Sequence, residues 1–299
     1  MARAALIALP WAWGLAFFVL PFALIIGVSL STPELAIPPY VSPLARGLAP
    51  DPASYLRILG ELAALGGHGD AAGLQYLGAF GNSLLLAALT TLACLLLGYP
   101  FAWRIARSPQ SSRQTLLMLV MLPFWTSFLL RVYAWMSLLD SSEVGLINHL
   151  LLSLGWVDQP LPLLYSRGAV LIGMIYSYLP FMVLPLYAHL VKFDARLIEA
   201  ARNLGATPWR CFVSVTLPLS LRGILAGALL VFIPAVGEFV IPDLLGGGGL
   251  PVIGRRIWDD FGPNQDWPEA AAMTVVMVLL LILPMIVLQR HGHARGGGR

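Results

Sequence analysis

Two charged residues lie inside long apolar runs of this chain, where each needs an interaction that stabilises its charge. Glu238 interrupts the run Ile224–Leu245, and Arg131 interrupts the run Thr115–Leu139. A charge at the centre of a membrane span costs about 2.5 to 3.5 kcal/mol on insertion scales. Arg131 and Glu238 lie roughly 24 Å and 21 Å from the starts of their runs, at about 1.5 Å per helical residue. They can therefore share a level, either as a structural ion pair or with Glu238 meeting a cation in a pathway.

Aromatic side chains in or near the same runs offer faces for a cation. A cation and a ring attract by about 0.5 to 2 kcal/mol, so carboxylates and rings are the expected partners of a flexible dication. The alternative is that these aromatic residues form the belt that Trp and Tyr make at membrane interfaces. Composition alone favours neither interpretation. The candidate pathway residues besides Glu238 and Arg131 are Trp125, Tyr133, Trp135, Tyr176, Tyr178 and the acidic Asp243.

The motifs of common enzymes are missing from the sequence. A Walker A loop needs a Lys before Ser or Thr, and the single lysine, Lys192, lies between Val191 and Phe193. The sequence also lacks Gly-x-Ser-x-Gly, His-Glu-x-x-His and any close Cys/His cluster. The histidines are scattered, and His189, at the end of an apolar run, is predicted to be a surface residue. The chain is therefore predicted not to be an enzyme and to bind no cofactor or metal itself.

Composition places the chain in the membrane class. Its 299 residues are 58% hydrophobic and 11% charged, with a mean hydropathy of +0.80. The basic residues form no run, which argues against a nucleic-acid partner. About 20 apolar residues cross the hydrocarbon core of a bilayer. An all-α integral membrane protein with six transmembrane helices is predicted from six runs: Leu6–Leu30, Leu84–Trp103, Thr115–Leu139, Gly168–Val191, Ile224–Leu245 and Ala270–Leu288.

The distribution of charge predicts how these helices are oriented. Six crossings put both ends of the chain on one side of the membrane. Twelve of the eighteen Lys and Arg residues fall in the segments on that side, whereas nearly all acidic residues fall on the other. Because cytoplasmic loops carry the excess of Lys and Arg, both termini are predicted to be cytoplasmic.

The segments between the runs suggest a division of the chain into three regions. Residues 1–79 hold the first transmembrane helix and a long periplasmic segment, in which 51–65 is predicted to form an interfacial helix. Residues 80–290 hold the other five runs and are predicted to form the membrane core, and residues 291–299 are predicted to form a basic cytoplasmic tail. Four glycines at 246–249 predict an external turn, since no Lys-Ser or Lys-Thr follows them to make a phosphate loop.

A polar segment, EAARNLGATPWRCFVSVTLP at 199–218, separates the fourth and fifth runs. Asp194 is a candidate N-cap for a short helix there. Gly205 then predicts a left-handed stop, and Thr207 with Pro208 predict the cap and first residue of a second helix. So short a helix needs a partner surface to be stable. One small apolar face has helical spacing: Leu197, Ala200, Ala201 and Leu204.

This segment resembles the EAA signature of permease subunits in bacterial ABC importers. The spacing is Glu199-Ala200-Ala201, three residues, Gly205, nine residues, then Val215-x-Leu217-Pro218, with Val215 where isoleucine is commoner. In that family the segment is the coupling helix, which docks into a groove on a cytoplasmic ATPase subunit. For a coupling segment at 192–222, the resemblance implies that Glu199 anchors the helix. It also implies that Ala200 and Ala201 permit close packing and that Gly205 makes the turn.

Further stretches resemble the first permease of putrescine and spermidine importers, with the putrescine type closest. The resemblance implies the type I ABC importer permease fold, an inner-membrane location and the uptake of a polyamine, with putrescine favoured. The implied partners are a second homologous permease, two cytoplasmic ATPase subunits that use ATP and Mg, and a periplasmic polyamine-binding protein. The matching stretches are LPFWTSFLLRVYAW at 122–135, YSYLPFMVLPLY at 176–187, VFIPAVGEFVIPDLLGG at 231–247, DQPLPLLYS at 158–166, and IGRRIWDDF and DWPEA before the sixth run.

Three alternatives make different predictions. An ABC permease could serve another solute, such as spermidine, sulfate, iron or an opine, and an anion permease would use inward-facing Arg or helix N-termini rather than Glu238. An ion-coupled secondary transporter would need no coupling segment and would work without ATP. A membrane-embedded enzyme would need the catalytic sets that this sequence lacks.

Overall fold

The computed structural model describes residues 10–34, 36–43, 47, 49–64, 75–194 and 196–294, with the side chains of all but 61–64 and 283–294. Some predicted features lie outside these residues. They are the start of the first run at Leu6, the end of the interfacial helix at Leu65, and residues 295–299 of the basic tail.

The described chain is built almost entirely of helices. A short antiparallel pair of strands, β1 (Thr32–Pro33) and β2 (Tyr40–Val41), follows the first helix. The helices in chain order are α1 (Pro10–Ser29), α2 (Ala53–Ala64), α3 (Gln75–Ala106), α4 (Gln110–Met121), α5 (Phe128–Leu138), α6 (Leu146–Ser153), α7 (Arg167–Leu190), α8 (Arg196–Asn203), α9 (Pro208–Gly237), α10 (Val240–Gly246), α11 (Ile253–Phe261) and α12 (Trp267–Ala294).

Within the described residues, four helices are long and apolar enough to cross a bilayer: α1, α3, α7 and α9. A fifth crossing results if α4, its following turn and α5 count as one span, although the pair is bent by 87°. The apolar helix Trp267–Ile282 within α12 is shorter. Six transmembrane helices therefore remain a prediction.

The predicted span Thr115–Leu139 is wrong as a single straight helix. α4 gives way to a 3-10 turn at Leu122–Trp125, and the chain is then extended at Thr126 (ψ 154°) and Ser127 (ψ 139°) before α5 begins. Pro123 accounts for the change, because proline lacks the N–H that an α-helix interior needs.

The predicted span Ile224–Leu245 is also wrong as a single helix. α9 ends at Gly237, and Glu238 has an extended ψ of 128° before α10 begins at Val240. Pro242 explains this break, because the ring of a proline in a continuing helix would clash with the carbonyl four residues earlier, that of Glu238. In the first turn of α10 the missing N–H of Pro242 has no intrahelical partner to lose.

The predicted glycine turn follows α10 directly. Gly247 and Gly248 have φ values of +64° and +72°, the left-handed region that residues with a Cβ rarely adopt. The turn itself is thus confirmed.

Contacts divide the chain into two compact units, and one of them comprises residues 1–81 and 251–284. Its core joins Ile58 of α2, Phe80 of α3, Ile253 of α11 and Met273 of α12. The α2 helix, which covers most of the predicted interfacial helix, therefore has one buried side. The division predicted from the sequence at residues 79 and 290 stays a prediction.

The second unit comprises residues 82–250 and 285–299, and α7 packs against α9 at its centre. Glycines on α9 let the two backbones approach. A Cβ on Gly227 would lie 3.1 Å from the carbonyl oxygen of Met182, and a Cβ on Gly223 would lie 2.8 Å from the Cβ of His189. Met182 is fully buried at this contact.

Candidate functional site

The segment after α7 folds locally as its sequence predicts. Asp194 Oδ1 accepts a hydrogen bond of 2.9 Å from the backbone N–H of Arg196, at the start of α8. Gly205 follows α8 with φ +82°, a conformation that suits glycine. The predicted short helix and left-handed stop are confirmed.

The second helix of the segment begins at the predicted cap. Thr207 Oγ1 accepts a hydrogen bond of 3.3 Å from Arg210 N–H, and Pro208 is the first residue of α9. A π-helical turn at Phe212–Thr216 leads into the stretch with Leu217 and Pro218, both of which are exposed. Insertions of this kind are frequent at functional sites.

The predicted apolar face of the segment is largely open to its surroundings. Leu197 is 47% exposed and Leu204 is 89% exposed, whereas Ile198 is buried. Ala200 is exposed and Ala201 is half-buried, and Glu199 lines a cleft against the ends of α3 and α7. An exposed apolar stripe is expected of a helix that docks on another subunit. Docking itself stays a prediction.

Two side-chain hydrogen bonds tie the base of this segment to neighbouring helices. The hydroxyls of Tyr99 on α3 and Ser220 on α9 lie 3.1 Å apart. His189 Nε2 on α7 lies 2.8 Å from the carbonyl oxygen of Leu219, and since a carbonyl can only accept, Nε2 donates. His189 is partly exposed, as predicted from the sequence, but its ring also makes this contact between α7 and α9. These contacts were not predicted from the sequence, where the only signal for them is a polar residue near the end of each apolar run.

Glu238 occupies the break between α9 and α10. Its Oε1 accepts hydrogen bonds from the backbone N–H groups of Val240 (2.9 Å) and Ile241 (3.3 Å), and its Oε2 accepts one of 2.7 Å from the hydroxyl of Tyr178. Charge-assisted bonds of this kind are about twice as strong as neutral ones, which explains how a carboxylate is held within an apolar run. A carboxylate can accept about four hydrogen bonds. One position therefore remains on the half-buried Glu238.

Arg131 does not form the ion pair with Glu238 that the sequence left open. Its guanidinium carbon lies 5.1 Å from the centroid of the Phe124 ring and 5.7 Å from that of Phe128. Its Nε and Nη1 atoms are buried without a hydrogen-bond partner in the described structure. Phe124 packs edge-on against Phe181 at 5.2 Å, and Phe181 lies 6.2 Å from Tyr178. Three rings thus connect the two charged residues.

The other candidate pathway residues are not part of the row of rings that Phe124, Phe181 and Tyr178 form. Trp135 packs edge-on against Tyr176, with centroids 5.5 Å apart. Trp125 and Tyr133 are 67% and 54% exposed, and no ring contact within the described residues joins them to the row. Asp243 lies half-buried in the first turn of α10. The structure therefore brings Tyr178 together with Glu238, and Trp135 together with Tyr176.

These features define a class of protein. Several helices of membrane-spanning length, breaks that place polar groups inside two apolar runs, and a short helical hairpin with an open apolar face are expected of a membrane permease.

Comparisons with known proteins agree with this class. Residues 76–295 match the family model described as "Binding-protein-dependent transport system inner membrane component". The spermidine/putrescine transport system permease protein PotB of Escherichia coli is 43% identical over 209 residues, which cover 70% of this chain and 75% of that protein. PotB of Haemophilus influenzae is 42% identical over 209 residues, covering 70% and 72%. The inner membrane ABC transporter permease protein YdcU of E. coli is 33% identical over 221 residues, covering 71% and 70%.

Among solved structures, a bacterial ABC transporter involved in the import of the acidic polysaccharide alginate contains a similar chain. Its TM-score is 0.68 at 18% identity, and the match covers 100% of this chain and 96% of that one. Identity at this level shows a common fold only.

The chain belongs to the family of binding-protein-dependent transport system inner membrane components. It is accordingly a permease subunit of the inner membrane and not itself an enzyme.

Proposed function

We propose that this chain is a permease subunit of an ATP-driven importer of polyamines. The proposal is carried by Glu238, whose carboxylate lies at a helix break with three hydrogen bonds made and one acceptor position left. An ammonium group of a polyamine would take that position. The names of the relatives, which include both spermidine and putrescine, support the same substrate class.

The aromatic row next to Glu238 suits a flexible dication. Phe181 is 37% exposed beside Tyr178, so its face is within reach of a second ammonium or of the methylene chain. Ring and cation attract by about 0.5 to 2 kcal/mol. Putrescine remains our specific proposal for the substrate, on the resemblance of the stretches between 122 and 247.

The proposed topology is a type I importer permease with six transmembrane helices and both termini in the cytoplasm. The four long helices, the bent pair and the apolar α12 supply candidates for these crossings. The excess of Lys and Arg in the segments assigned to the cytoplasm supports the orientation.

The proposed mechanism is alternating access driven from outside this chain. A second homologous permease completes the pathway, a periplasmic binding protein delivers the substrate, and two ATPase subunits bind ATP and Mg. Closure of the ATPases would move α8 and the start of α9, and the contacts of Leu219 with His189 and of Ser220 with Tyr99 would pass this motion to α7 and α3. Glu199, Ala200, Ala201 and Gly205 would form the docked surface.

Reconstitution tests the proposal. The chain is inserted into liposomes with its ATPase, second permease and binding protein, and labelled putrescine is competed against spermidine, sulfate and iron. We expect ATP-dependent uptake that only polyamines inhibit. Uptake without ATP, or inhibition by sulfate or iron alone, would refute it.

A further inference from the structure

A cleft of about 400 Å³ lies between α8 and the C-terminal ends of α3 and α7. Its walls combine apolar and aromatic side chains, including Trp103, Leu190 and Phe193, with the guanidinium groups of Arg107 and Arg202. A volume of this size is in the range of small-ligand sites.

The two arginines come from distant parts of the chain, and neither forms an ion pair among the residues that the structure describes. Arg107 directly follows α3 and Arg202 lies in α8, 95 positions later. Glu199 lines the same cleft, yet neither arginine forms an ion pair with it or with another carboxylate in the described residues. Burial, and then the positive charge of Arg202, lower the pKa of Arg107. The fold thus brings two guanidinium groups and one carboxylate to the same cleft, a net positive charge, and no ion pair within the described residues holds either arginine.

The Arg107 side chain is held in place for binding. Its guanidinium carbon lies 3.6 Å above the centroid of the Trp103 ring. Stacking on a ring restricts the guanidinium while leaving its N–H donors at the edge free to bind an anion. A planar fork of donors is well suited to phosphate oxygens.

The cleft also lies where two candidate spans end. α3 ends at Ala106 and α7 at Leu190, and both of these residues line the cleft. The apolar ends of spans meet lipid headgroups at this level, and basic pockets between transmembrane helices bind anionic headgroups. Trp103 is a side-chain type enriched at the same interface.

We propose that Arg107 and Arg202 form a site for a phosphate group, supplied by the headgroup of an anionic phospholipid. Trp103, Leu190 and Phe193 contact the apolar part of the lipid next to the headgroup. The site is separate from the Glu238 region, and the proposal holds whichever solute is transported.

The test uses the full chain purified in detergent and native mass spectrometry with added phosphatidylglycerol or phosphatidylcholine. We expect phosphatidylglycerol to be retained preferentially and the R107Q/R202Q variant to bind it at least about tenfold more weakly, since a lost charge-assisted bond of about 1.5 kcal/mol is a tenfold effect. The matched control is R104Q/K192Q, which removes two nearby positive charges that do not line the cleft, and it should bind as the unaltered chain does. Size-exclusion chromatography checks that each variant is folded, and the single variant R202Q replaces the double one should that aggregate.

Inorganic phosphate distinguishes the source of the group. Displacement of phosphatidylglycerol by millimolar phosphate in the unaltered chain and in the R104Q/K192Q control, but not in R107Q/R202Q, would confirm the phosphate site and point to a soluble phosphate. Equal binding of the two lipids together with no effect of phosphate would overturn the proposal. So would loss of ATPase co-purification in R107Q/R202Q without any change in lipid binding, because the cleft would then be a protein contact.

Discussion

Arg131 and Glu238 stand at the two ends of one row of aromatic rings and do not touch each other. Arg131 packs over Phe124, Phe124 meets Phe181, and Phe181 lies beside Tyr178, whose hydroxyl donates to Glu238. Each charge is therefore held by its own local partners. Glu238 is left with a free acceptor position, which an ion pair with Arg131 would have filled.

The variant E238Q tests the role of this carboxylate. It should insert normally and lower polyamine uptake by about tenfold, since a hydrogen bond to a charged group contributes about 1.5 to 3 kcal/mol. Uptake into reconstituted vesicles measures the effect. Y178F keeps the carboxylate charge and should have a smaller effect. Normal uptake by E238Q would exclude Glu238 from the pathway.

Because Arg131 and Glu238 do not contact each other, we expect the effects of their substitutions on stability to be independent. In a double-mutant cycle of R131Q and E238Q, the changes in unfolding free energy should add within about 0.5 kcal/mol. Thermal unfolding in detergent measures each variant. The cycle of Y178F and E238Q serves as the positive control, since those residues share a hydrogen bond. Strong coupling of Arg131 to Glu238 would show that they pair after all.

Gly205 provides a test of the coupling segment. Because its φ is +82°, G205V should strain the turn by about 1 to 2 kcal/mol and weaken co-purification of the ATPase subunits. G205N is the matched control, since Asn tolerates this conformation better than Val. Full transport and intact co-purification of G205V would contradict the prediction.

The hydrogen bonds at the base of the segment should transmit its motion to α3 and α7. Each hydrogen bond contributes about 1 kcal/mol, so Y99F combined with H189L should reduce the uptake obtained per ATP hydrolysed by several-fold while ATPase activity persists. Parallel assays of ATP hydrolysis and uptake measure this ratio. Y187F removes a hydroxyl from the same helix as His189 and should leave the ratio unchanged. A proportional loss of both activities would indicate misfolding instead of uncoupling.

The unit formed by residues 1–81 and 251–284 contains a buried acid. Glu269 has a side chain only 3% exposed, pairs with Arg57 and accepts a hydrogen bond from Tyr76. We expect E269A to lower the unfolding free energy by about 2 kcal/mol, because partners of a buried charge lose their bonds.

A second carboxylate in the same unit provides the control for E269A. Asp259 pairs with Arg255 at 2.9 Å, but both side chains are more than a third exposed. Exposed pairs contribute at most about 1 kcal/mol, so D259A should shift the melting temperature much less. Equal shifts in melting temperature for the two variants would show that the burial of Glu269 does not increase the contribution of its ion pair to stability.

The sequence by itself determined features whose causes lie within a few residues. The cap at Asp194, the left-handed turn at Gly205 and the start of a helix at Thr207 and Pro208 each depend on one side chain and its immediate backbone. The long apolar helices followed from hydropathy in the same local way. The break at Glu238 also has a local cause, Pro242, which a count of apolar residues does not detect.

Only the tertiary structure decided which polar groups meet. Tyr178 lies 60 positions from Glu238, and Tyr99 lies 121 positions from Ser220. No periodicity of one segment specifies such partners, because they depend on how α3, α7 and α9 approach one another at their glycine contacts. Apolar packing sets that approach, and the polar groups then bond with whatever it brings within reach. For this reason an ion pair of Arg131 and Glu238 could be suggested from the sequence, whereas the packing of the helices places the two residues apart.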